Sequence, residues 1–342
     1  MIGMHLAILV IREVVTSVRR RTFVLMIRTP ARASLLLLLF GACATTRSGS
    51  PYAPLIDYHQ HLVSPAFAPI VKLPERDGRA LLSELDAAGI RKAVVLSVAY
   101  SFADERKKLE NPDGLTRAEN DWTSAQVVAA RGRLIGFCSA NPLRPAAIGE
   151  LERCLTLPGM KGIKLHLGNS GITLRDSTHA ARVADVFSLA ERLRVPVLVH
   201  MRARGGLNYG AEDARLLLDK IVPVAPSIEI VVAHFGGSGP GYPAKADEVM
   251  AVFGTAAERK DPRMRNLYFD VATIVAPETT TEEAALVARR VRQVGASRVL
   301  YGSDLSPPGG SIRSGWEIFR QRVPLTDAEF RTIAGNVTRF AR

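Results

Sequence analysis

The sequence is poor in cysteine and histidine, and it has no long apolar run. Its 342 residues include three cysteines and seven histidines. Cys138 occurs in an apolar run and Cys154 in a helical pattern, which predicts two buried, inert thiols and no disulfide framework. The apolar run Leu35–Phe40 is too short to span a bilayer. Because 47% of the residues are hydrophobic, we expect an ordinary globular protein with a sizeable core.

The body of the chain also has no run of basic residues. The formal net charge is +12, but the first 42 residues hold six arginines and a single acid, Glu13, so the remaining residues carry +7. That charge is spread along the chain, whereas a nucleic-acid surface needs basic residues clustered on one face. We therefore expect no nucleic-acid partner.

The N-terminal residues have the features of a signal peptide. Residues 26–43 contain two arginines, then Leu35–Phe40, then small residues that end in Cys43. This order is typical of a basic region and an apolar region before a cleavage site. Cys43 resembles the acylated cysteine of bacterial lipoproteins, and Ala44 after it resembles lipoproteins sent to an outer membrane.

We therefore predict a signal peptide over residues 1–43 with Met26 as the start, lipidation of Cys43, a polar tether over 44–53 and one domain over 54–342. The protein would face the periplasm from the outer membrane, held by its lipid anchor. A signal anchor that stays uncleaved is the alternative. A homo-oligomer is left open.

From residue 54 onward, short β-rich segments alternate with segments of helical period. The predicted strands are 54–62, 90–100, 134–141, 160–167, 196–202, 227–235, 267–274 and 297–303. Apolar residues between them repeat at helical spacing, as in Ala284, Val287, Val291 and Val294 and in Val183, Val186, Ala190 and Leu193. Eight such units predict a closed (β/α)8 TIM barrel in the α/β class. A doubly wound open sheet is the alternative, but no Gly-rich phosphate loop follows the first strand.

Chemically versatile side chains occupy the ends of these predicted strands. The residues concerned are His59, His61, His166, His200, His234 and Asp304. Because the carboxyl ends of barrel strands converge on one mouth, residues distant in sequence should meet there. Asp57, His59 and His61 occur at every second position, which predicts that they share the face directed into the barrel. Imidazole nitrogens and a carboxylate are suited to Zn²⁺ and similar divalent ions, so the pattern predicts a metal site.

The motifs DYHQH, GIKLH, PVLVH, VVAHFGG and YGSD, in this order, resemble the amidohydrolase superfamily, and in particular its amidohydrolase-related group of hydrolases and decarboxylases. The resemblance covers residues 54–342. It implies that His59, His61 and His200 are metal ligands. Asp304 would be a ligand that also accepts a proton from water, and His234 would be the acid/base or orienting residue that faces the substrate.

The resemblance implies a hydrolase in which metal-activated water attacks the carbonyl carbon of an ester, lactone or amide. Asp304 would take the proton and His234 would stabilise the developing charge. A non-oxidative decarboxylase of the same fold is the alternative, and a non-enzymatic envelope lipoprotein is a third reading. Asp57 matches the start of the family's first motif and is expected to hydrogen-bond nearby backbone or a ligand histidine; a plain structural carboxylate is the alternative.

Basic residues near the mouth predict a small anionic substrate. Lys164 and His166 share a strand face, and Arg202 follows His200 by two residues, so we expect these three to contact a substrate carboxylate. Arg204 is either a similar contact or a solvated loop residue. A buried Lys164 would be neutral, paired with a carboxylate, or carboxylated to bridge two ions. The resemblance to the mononuclear branch favours one ion; in the two-metal alternative, His200 and His234 would hold the second.

Overall fold

The computed structural model describes residues 52–202, 208–304 and 310–342, which form one eight-stranded parallel barrel. Each predicted strand segment contains one strand. The strands are β1 Ile56–Gln60, β2 Lys92–Leu96, β3 Leu134–Ser139, β4 Met160–His166, β5 Val197–His200, β6 Ile230–Val232, β7 Leu267–Asp270 and β8 Val299–Leu300. The strands pair in sequence order. The predicted TIM barrel is confirmed, because a doubly wound sheet would not keep this order.

Backbone hydrogen bonds between β1 and the residues after β8 close the barrel. Tyr58 N donates to Tyr301 O at 2.8 Å, and Asp304 N donates to His59 O at 2.7 Å. The second bond fixes Asp304 directly beside the first histidine of the predicted metal site.

Helices cover the outside of the barrel between successive strands. They are α1 Ala68–Val71, α2 Gly78–Ala88, α3 Pro112–Ala129, α4 Ala147–Leu155, α5 Ser177–Leu193, α6 Ala211–Leu216, α7 Ala244–Glu258, α8 Thr281–Val294, α9 Ile312–Arg322 and α10 Asp327–Gly335. The predicted apolar face of α8 is buried throughout. On α5, which includes all four residues of the predicted set, Val183, Val186 and Ala190 are buried, whereas Leu193 is 39% exposed because it is the last residue of the helix.

The core has two layers, one inside the barrel and one between strands and helices. The inner layer includes Tyr58, Phe137 and Leu198, and alternate strand residues belong to the outer layer. The tail of the chain closes the end opposite the mouth, where the Phe340 ring contacts those of Tyr58 and Phe137. Among the described residues, every buried member of both layers comes after Pro54, and Tyr52 packs against the outer layer from the N-terminal side.

The prediction of two free thiols is wrong, because Cys138 and Cys154 form a disulfide with their Cα atoms 5.9 Å apart. Cys138 lies on the outward side of β3, and Cys154 lies on α4, the helix that follows it. Each cysteine sits in a buried apolar surrounding, as the pattern indicated. The pairing depends on how α4 packs on its own strand, and no local pattern shows this.

The predicted signal peptide, Cys43 and the tether up to residue 51 lie outside the described residues. Among the residues that are described, no helix is long and apolar enough to cross a membrane.

Candidate active site

The carboxyl ends of four strands bring the five predicted histidines together. His166 and His200, the last residues of β4 and β5, are register partners whose ring centroids lie 3.9 Å apart. His200 lies 4.6 Å from His234, which follows β6, and His234 lies 4.5 Å from His59 on β1. The His61 ring is 5.3 Å from that of His59. The five rings therefore form a continuous row across the mouth.

Asp304 lies against two of these rings. Its Oδ1 is 3.8 Å from His61 Nε2, and its Oδ2 is 3.8 Å from His234 Nε2. One donor atom each of His59, His61 and Asp304 lies within 4.8 Å of the others. These three residues are a subset of the predicted ligands. The fourth, His200, lies outside this group of atoms, next to His166 and His234.

The backbone around this group adopts conformations that non-glycine residues rarely take. Asp304, His234 and Thr273, each just after a strand, have φ values of 60°, 51° and 52°. Such strain persists where packing over-determines it, and it is frequent at functional sites. Gly302 is required for a different reason, since a Cβ there would approach the Cβ of His59 to 2.7 Å.

Asp57 does not share a face with the histidines, so that part of the prediction is wrong. Ile56 and Tyr58 belong to the inner core layer, which directs the Asp57 side chain outward. The register of β1 then shifts between Asp57 and Gln60, and this irregularity brings the two histidines to the mouth. The Asp57 carboxylate accepts hydrogen bonds from His59 N and from Ser303 N, both at 3.1 Å. Asp57 thus bonds nearby backbone, one of its two expected partners, and it ties β1 to the residues after β8. Burial raises its pKa to about 6.

Hydrogen bonds at Nδ1 fix the orientation of three rings. His61 Nδ1 lies 2.7 Å from Leu96 O, and His234 Nδ1 lies 2.8 Å from Ala272 O. Because a carbonyl oxygen only accepts, both Nδ1 atoms carry a proton, so a ring that holds a single proton has its lone pair on Nε2. The Nε2 atoms of both rings are the ones that face Asp304.

The third ring is held by Asp270, a residue that the sequence analysis missed. His59 Nδ1 lies 2.9 Å from Asp270 Oδ2, and Asp270 Oδ1 accepts from His234 N at 2.9 Å. A buried carboxylate on the outer nitrogen of a histidine is the usual way to orient a metal ligand. Asp270 is the last residue of β7. The strand-end rule could have found it, but the predicted strand ran on to residue 274.

The residues present fit a divalent cation. His59 Nε2 and His200 Nε2 are buried and have no hydrogen-bond partner among the described residues, although buried polar atoms normally have one. Burial lowers the pKa of His59 and His200 well below 6.5, and that of His61 to about 4, so the rings are neutral. Neutral imidazoles with aligned lone pairs beside a carboxylate are a typical ligand set for Zn²⁺ and related ions.

Lys164 projects into the barrel below the histidines. It is fully buried, its Nζ has no hydrogen-bond partner among the described residues, and burial lowers its pKa to about 8. Its register partner Ser139 is also fully buried, with an unpartnered Oγ in the same described set. Asn120 fixes the Ser139 backbone, since Asn120 Nδ2 donates to Ser139 O and Ser139 N donates to Asn120 Oδ1. Two donors without a partner among the described residues therefore lie on neighbouring strands at the same register position.

His166 differs from the other rings in its tautomer. Its Nδ1 accepts a hydrogen bond from Asn169 N at 3.1 Å, so the neutral ring carries its proton on Nε2. It is therefore a hydrogen-bond donor, which agrees with substrate contact better than with metal ligation. Its other neighbour is the ring of Tyr100, 5.0 Å away.

Arg202 lies at the edge of the mouth. Its guanidinium is 5.4 Å from the centre of the Tyr209 ring. The Tyr209 hydroxyl donates to Gly236 O at 2.8 Å, which connects Arg202 to the turn after His234. Arg204 lies outside the described residues.

The fold and this arrangement are those of a TIM-barrel enzyme whose mouth holds a possible metal site. The sequence model of the amidohydrolase family matches residues 56–336, so the chain belongs to the amidohydrolase family. No curated protein matches the sequence.

Three solved structures illustrate the range of its structural relatives. A probable 2-pyrone-4,6-dicarboxylic acid hydrolase from Acinetobacter baumannii, with citric acid bound, is 16% identical, with a TM-score of 0.54 over 82% of this chain and 96% of that one. A Burkholderia multivorans amidohydrolase with bound zinc is 14% identical, with a TM-score of 0.55 over 83% and 96%. The 5-carboxyvanillate decarboxylase of Novosphingobium aromaticivorans, with manganese, is 16% identical, with a TM-score of 0.56 over 84% and 94%. At these identities the likeness concerns the fold.

Proposed function

We propose that the protein is a metal-dependent hydrolase that cleaves an ester, lactone or amide of a small, carboxylate-bearing molecule. The observation that carries the proposal is the convergence of His59, His61 and Asp304, with Nδ1 of both rings hydrogen-bonded elsewhere and Nε2 left for a ligand. His200 Nε2, buried and unpartnered within the described residues, is the fourth proposed ligand atom. One divalent ion, with zinc as first choice, would polarise the carbonyl group and acidify a water molecule when bound.

The protein groups account for the proton transfers. Asp304 accepts a proton from the attacking water as the new C–O bond forms, and returns it to the leaving oxygen or nitrogen as the old bond breaks. His234 lies 3.8 Å from Asp304 and presents Nε2 as an acceptor, because its Nδ1 proton is held by Ala272 O. In this tautomer His234 Nε2 accepts a hydrogen bond from water and so orients it, and the ring donates to a developing oxyanion only when it is doubly protonated.

Lys164, His166 and Arg202 are the proposed contacts for the substrate carboxylate. Lys164 Nζ and its neighbour Ser139 Oγ are donors that are buried and lack a partner within the described residues. An anionic group of the substrate would supply this partner, and the hydrogen bond would be charge-assisted. Dicarboxylate lactones are therefore the first substrates to test.

A non-oxidative decarboxylase is the second candidate, supported by the 5-carboxyvanillate decarboxylase among the structural relatives. The same donors would hold a carboxylate in either case. Two panels distinguish the reactions: dicarboxylate lactones, esters and amides followed by acid release, and phenolic or unsaturated acids followed by CO₂ release. Activity that appears in the second panel alone, and is lost in His59→Ala, would replace the hydrolase proposal. A non-enzymatic protein would be inactive in both panels even when loaded with metal.

The number of ions is tested by metal quantitation after incubation with excess Zn²⁺ and bicarbonate. We expect one equivalent per chain in the unaltered protein and in Lys164→Ala. Two equivalents that fall to one in Lys164→Ala would instead indicate a carboxylated Lys164 bridging two ions.

Export as a lipoprotein is proposed from the signal segment and is supported by the disulfide. Cysteine pairs such as Cys138–Cys154 persist mainly in oxidising compartments such as the periplasm. Mass spectrometry of the mature protein should find a diacylglyceryl group on Cys43 as the new N-terminus. An intact N-terminus with unmodified Cys43 would contradict this.

A further inference from the structure

The face of the barrel opposite the mouth is strongly basic. We define the lower face by eight segments at the end of the barrel opposite the mouth. Seven of them connect a helix to the next strand, two of these include the first residues of β2 and β4, and the eighth is the C-terminal tail. Their ranges are 89–92, 130–133, 156–161, 194–196, 222–229, 259–266, 295–298 and 336–342. Its thirteen basic residues are Arg91, Lys92, Arg131, Arg133, Lys161, Arg194, Arg259, Lys260, Arg263, Arg265, Arg298, Arg339 and Arg342. Its two acids are Glu229 and Asp261.

The net charge of the lower face is larger than the net charge of the whole barrel. Its side chains sum to +11, whereas residues 52–342 as a whole carry +6, from 38 Lys and Arg against 32 Asp and Glu. The rest of the barrel is therefore net negative. The basic residues come from seven of these eight segments, which are far apart in the sequence.

Most of this charge is not neutralised by the protein. Within the described residues, Arg133, Arg263 and Arg339 are the only members of the lower-face set that form ion pairs. Helix C-termini favour cations, and helices end at this face, which accounts for residues at helix ends. It does not account for Arg91, Lys161 and Arg265, which are exposed and lie beyond the α-helix ends, next to or within the strands.

The chain enters the barrel at the same face. Leu55 N donates to Ala334 O at 2.9 Å, at the end of α10. Tyr52 lies against the guanidinium groups of Arg320 and Arg331. From Tyr52 back to the proposed lipidated Cys43 there are nine residues, which span about 30 Å at most. A lipid-anchored chain would thus hold the lower face, and not the mouth, next to the membrane.

We propose that the lower face docks on an anionic phospholipid surface beside the anchor and directs the mouth away from the membrane. Each basic side chain within a Debye length of a negative membrane surface is attracted to it, and the exposed, unpaired set provides many such contacts. This proposal rests on the lipid anchor proposed above and is independent of the reaction at the mouth.

The test compares vesicle binding of residues 44–342, which contain the complete barrel, with that of two matched triple variants. One neutralises the lower face in Arg91→Gln, Lys161→Gln and Arg265→Gln. The other neutralises exposed residues outside it in Lys72→Gln, Arg79→Gln and Lys108→Gln. All six side chains are exposed, and none forms an ion pair in the described structure. Vesicles are phosphatidylcholine with or without about one third phosphatidylglycerol.

We expect the unaltered chain to bind only the anionic vesicles, with affinity that falls as salt rises. The affinity of the lower-face variant for anionic vesicles should be at least about tenfold lower than that of the unaltered chain. The affinity of the matched variant should equal that of the unaltered chain. Equal losses in both variants would show a net-charge effect alone and overturn the proposal. So would no binding of the unaltered chain, or tighter binding to a duplex oligonucleotide than to anionic lipid. If a triple variant misfolds, the single variants Arg91→Gln and Lys72→Gln replace it, and equal binding by these two would likewise overturn the proposal.

Discussion

The two ends of the barrel differ in the burial of their polar groups. At the mouth, His59, His200 and Lys164 each bury a polar atom that has no hydrogen-bond partner among the described residues. At the lower face, residues such as Arg91 and Arg265 leave their charges in water. A buried unpartnered group costs about 1–3 kcal/mol, whereas a solvated surface charge costs little. The unpartnered groups at the mouth therefore lower the stability of the fold and are available to bind a ligand. Substitutions at the mouth should change metal binding and turnover, whereas substitutions at the lower face should change neither.

The largest effect is expected from removing a proposed ligand. His59→Ala and Asp304→Asn should each lower metal content and reduce turnover about a thousandfold or more, because the ion loses a donor and the water its proton acceptor. Metal analysis and the substrate panels described above measure both. Arg91→Gln at the lower face is the control and should keep both within about twofold. Full metal content and normal turnover in either mouth variant would refute these ligand roles.

The sequence predicted most of the residues at the mouth, but it did not predict the basic lower face. The histidines could be placed because strand ends converge in a barrel, whatever the details of packing. Asp57 and Asp270 show the limit of this reasoning. Alternation along β1 predicted that Asp57 faces the site, but Asp57 points outward, and the register shift that follows it brings only the histidines to the mouth. Asp270 from β7 takes the position beside His59.

The disulfide and the basic face were missed for a related reason. Each depends on which segments the fold makes neighbours. Cys138 and Cys154 meet because α4 returns along its own strand. The basic residues meet because seven segments that are distant in the sequence lie at the same end of the barrel.

The second largest effect is expected from removing the disulfide between β3 and α4, which lies between the two ends of the barrel. Cys138→Ala with Cys154→Ala should lower the free energy of unfolding by about 3 kcal/mol, since the bond closes a short loop with a sequence separation of 16. Urea unfolding, monitored by circular dichroism, measures the change. Wild-type protein unfolded with a reducing agent is the control and should approach the stability of the variant. Identical curves for oxidised protein, reduced protein and variant would show that the bond does not form.

A buried carboxyl group near the mouth should make stability depend on pH. Glu119 is 3% exposed, it accepts from Ser64 Oγ at 2.5 Å, and burial raises its pKa from 4.5 to about 7. As pH rises, the unfolded chain loses this proton first, so the free energy of unfolding should fall between about pH 4.5 and 7, by about 3 kcal/mol in total. Glu119→Gln should remove this fall and be more stable than the unaltered protein above pH 7.

Urea unfolding at several pH values tests this, with Glu105→Gln as the control because Glu105 is exposed. The control should follow the unaltered protein. A Glu119→Gln protein with an unchanged pH profile would show that the buried carboxyl group does not titrate in this range.

Asp270→Asn should weaken the metal site without unfolding the barrel. The amide keeps the size of the side chain but holds His59 Nδ1 less firmly, and loss of such an outer carboxylate lowers metal affinity about 10–100-fold. Competition with a zinc chelator measures this affinity. Asp57→Asn is the matched control, since Asp57 is equally buried but bonds the backbone and Ser303 instead of a ring. Equal losses of affinity in the two variants would show that Asp270 has no specific role.

The smallest effect is expected at the lower face. It distinguishes arginines that form an ion pair from arginines that do not. Arg91→Gln removes an exposed charge that has no ion-pair partner in the described structure, so it should change the free energy of unfolding by less than about 0.5 kcal/mol. Arg133 lies on the same face, but its guanidinium donates to Asp86 at 2.8 Å and to Arg91 O at 2.5 Å. Arg133→Gln should therefore destabilise by about 1 kcal/mol, the net value of a typical hydrogen bond. Urea unfolding of both variants in parallel is the measurement. If Arg91→Gln proves the more damaging of the two, the lower face is not a solvated surface, and the contrast between the two ends fails.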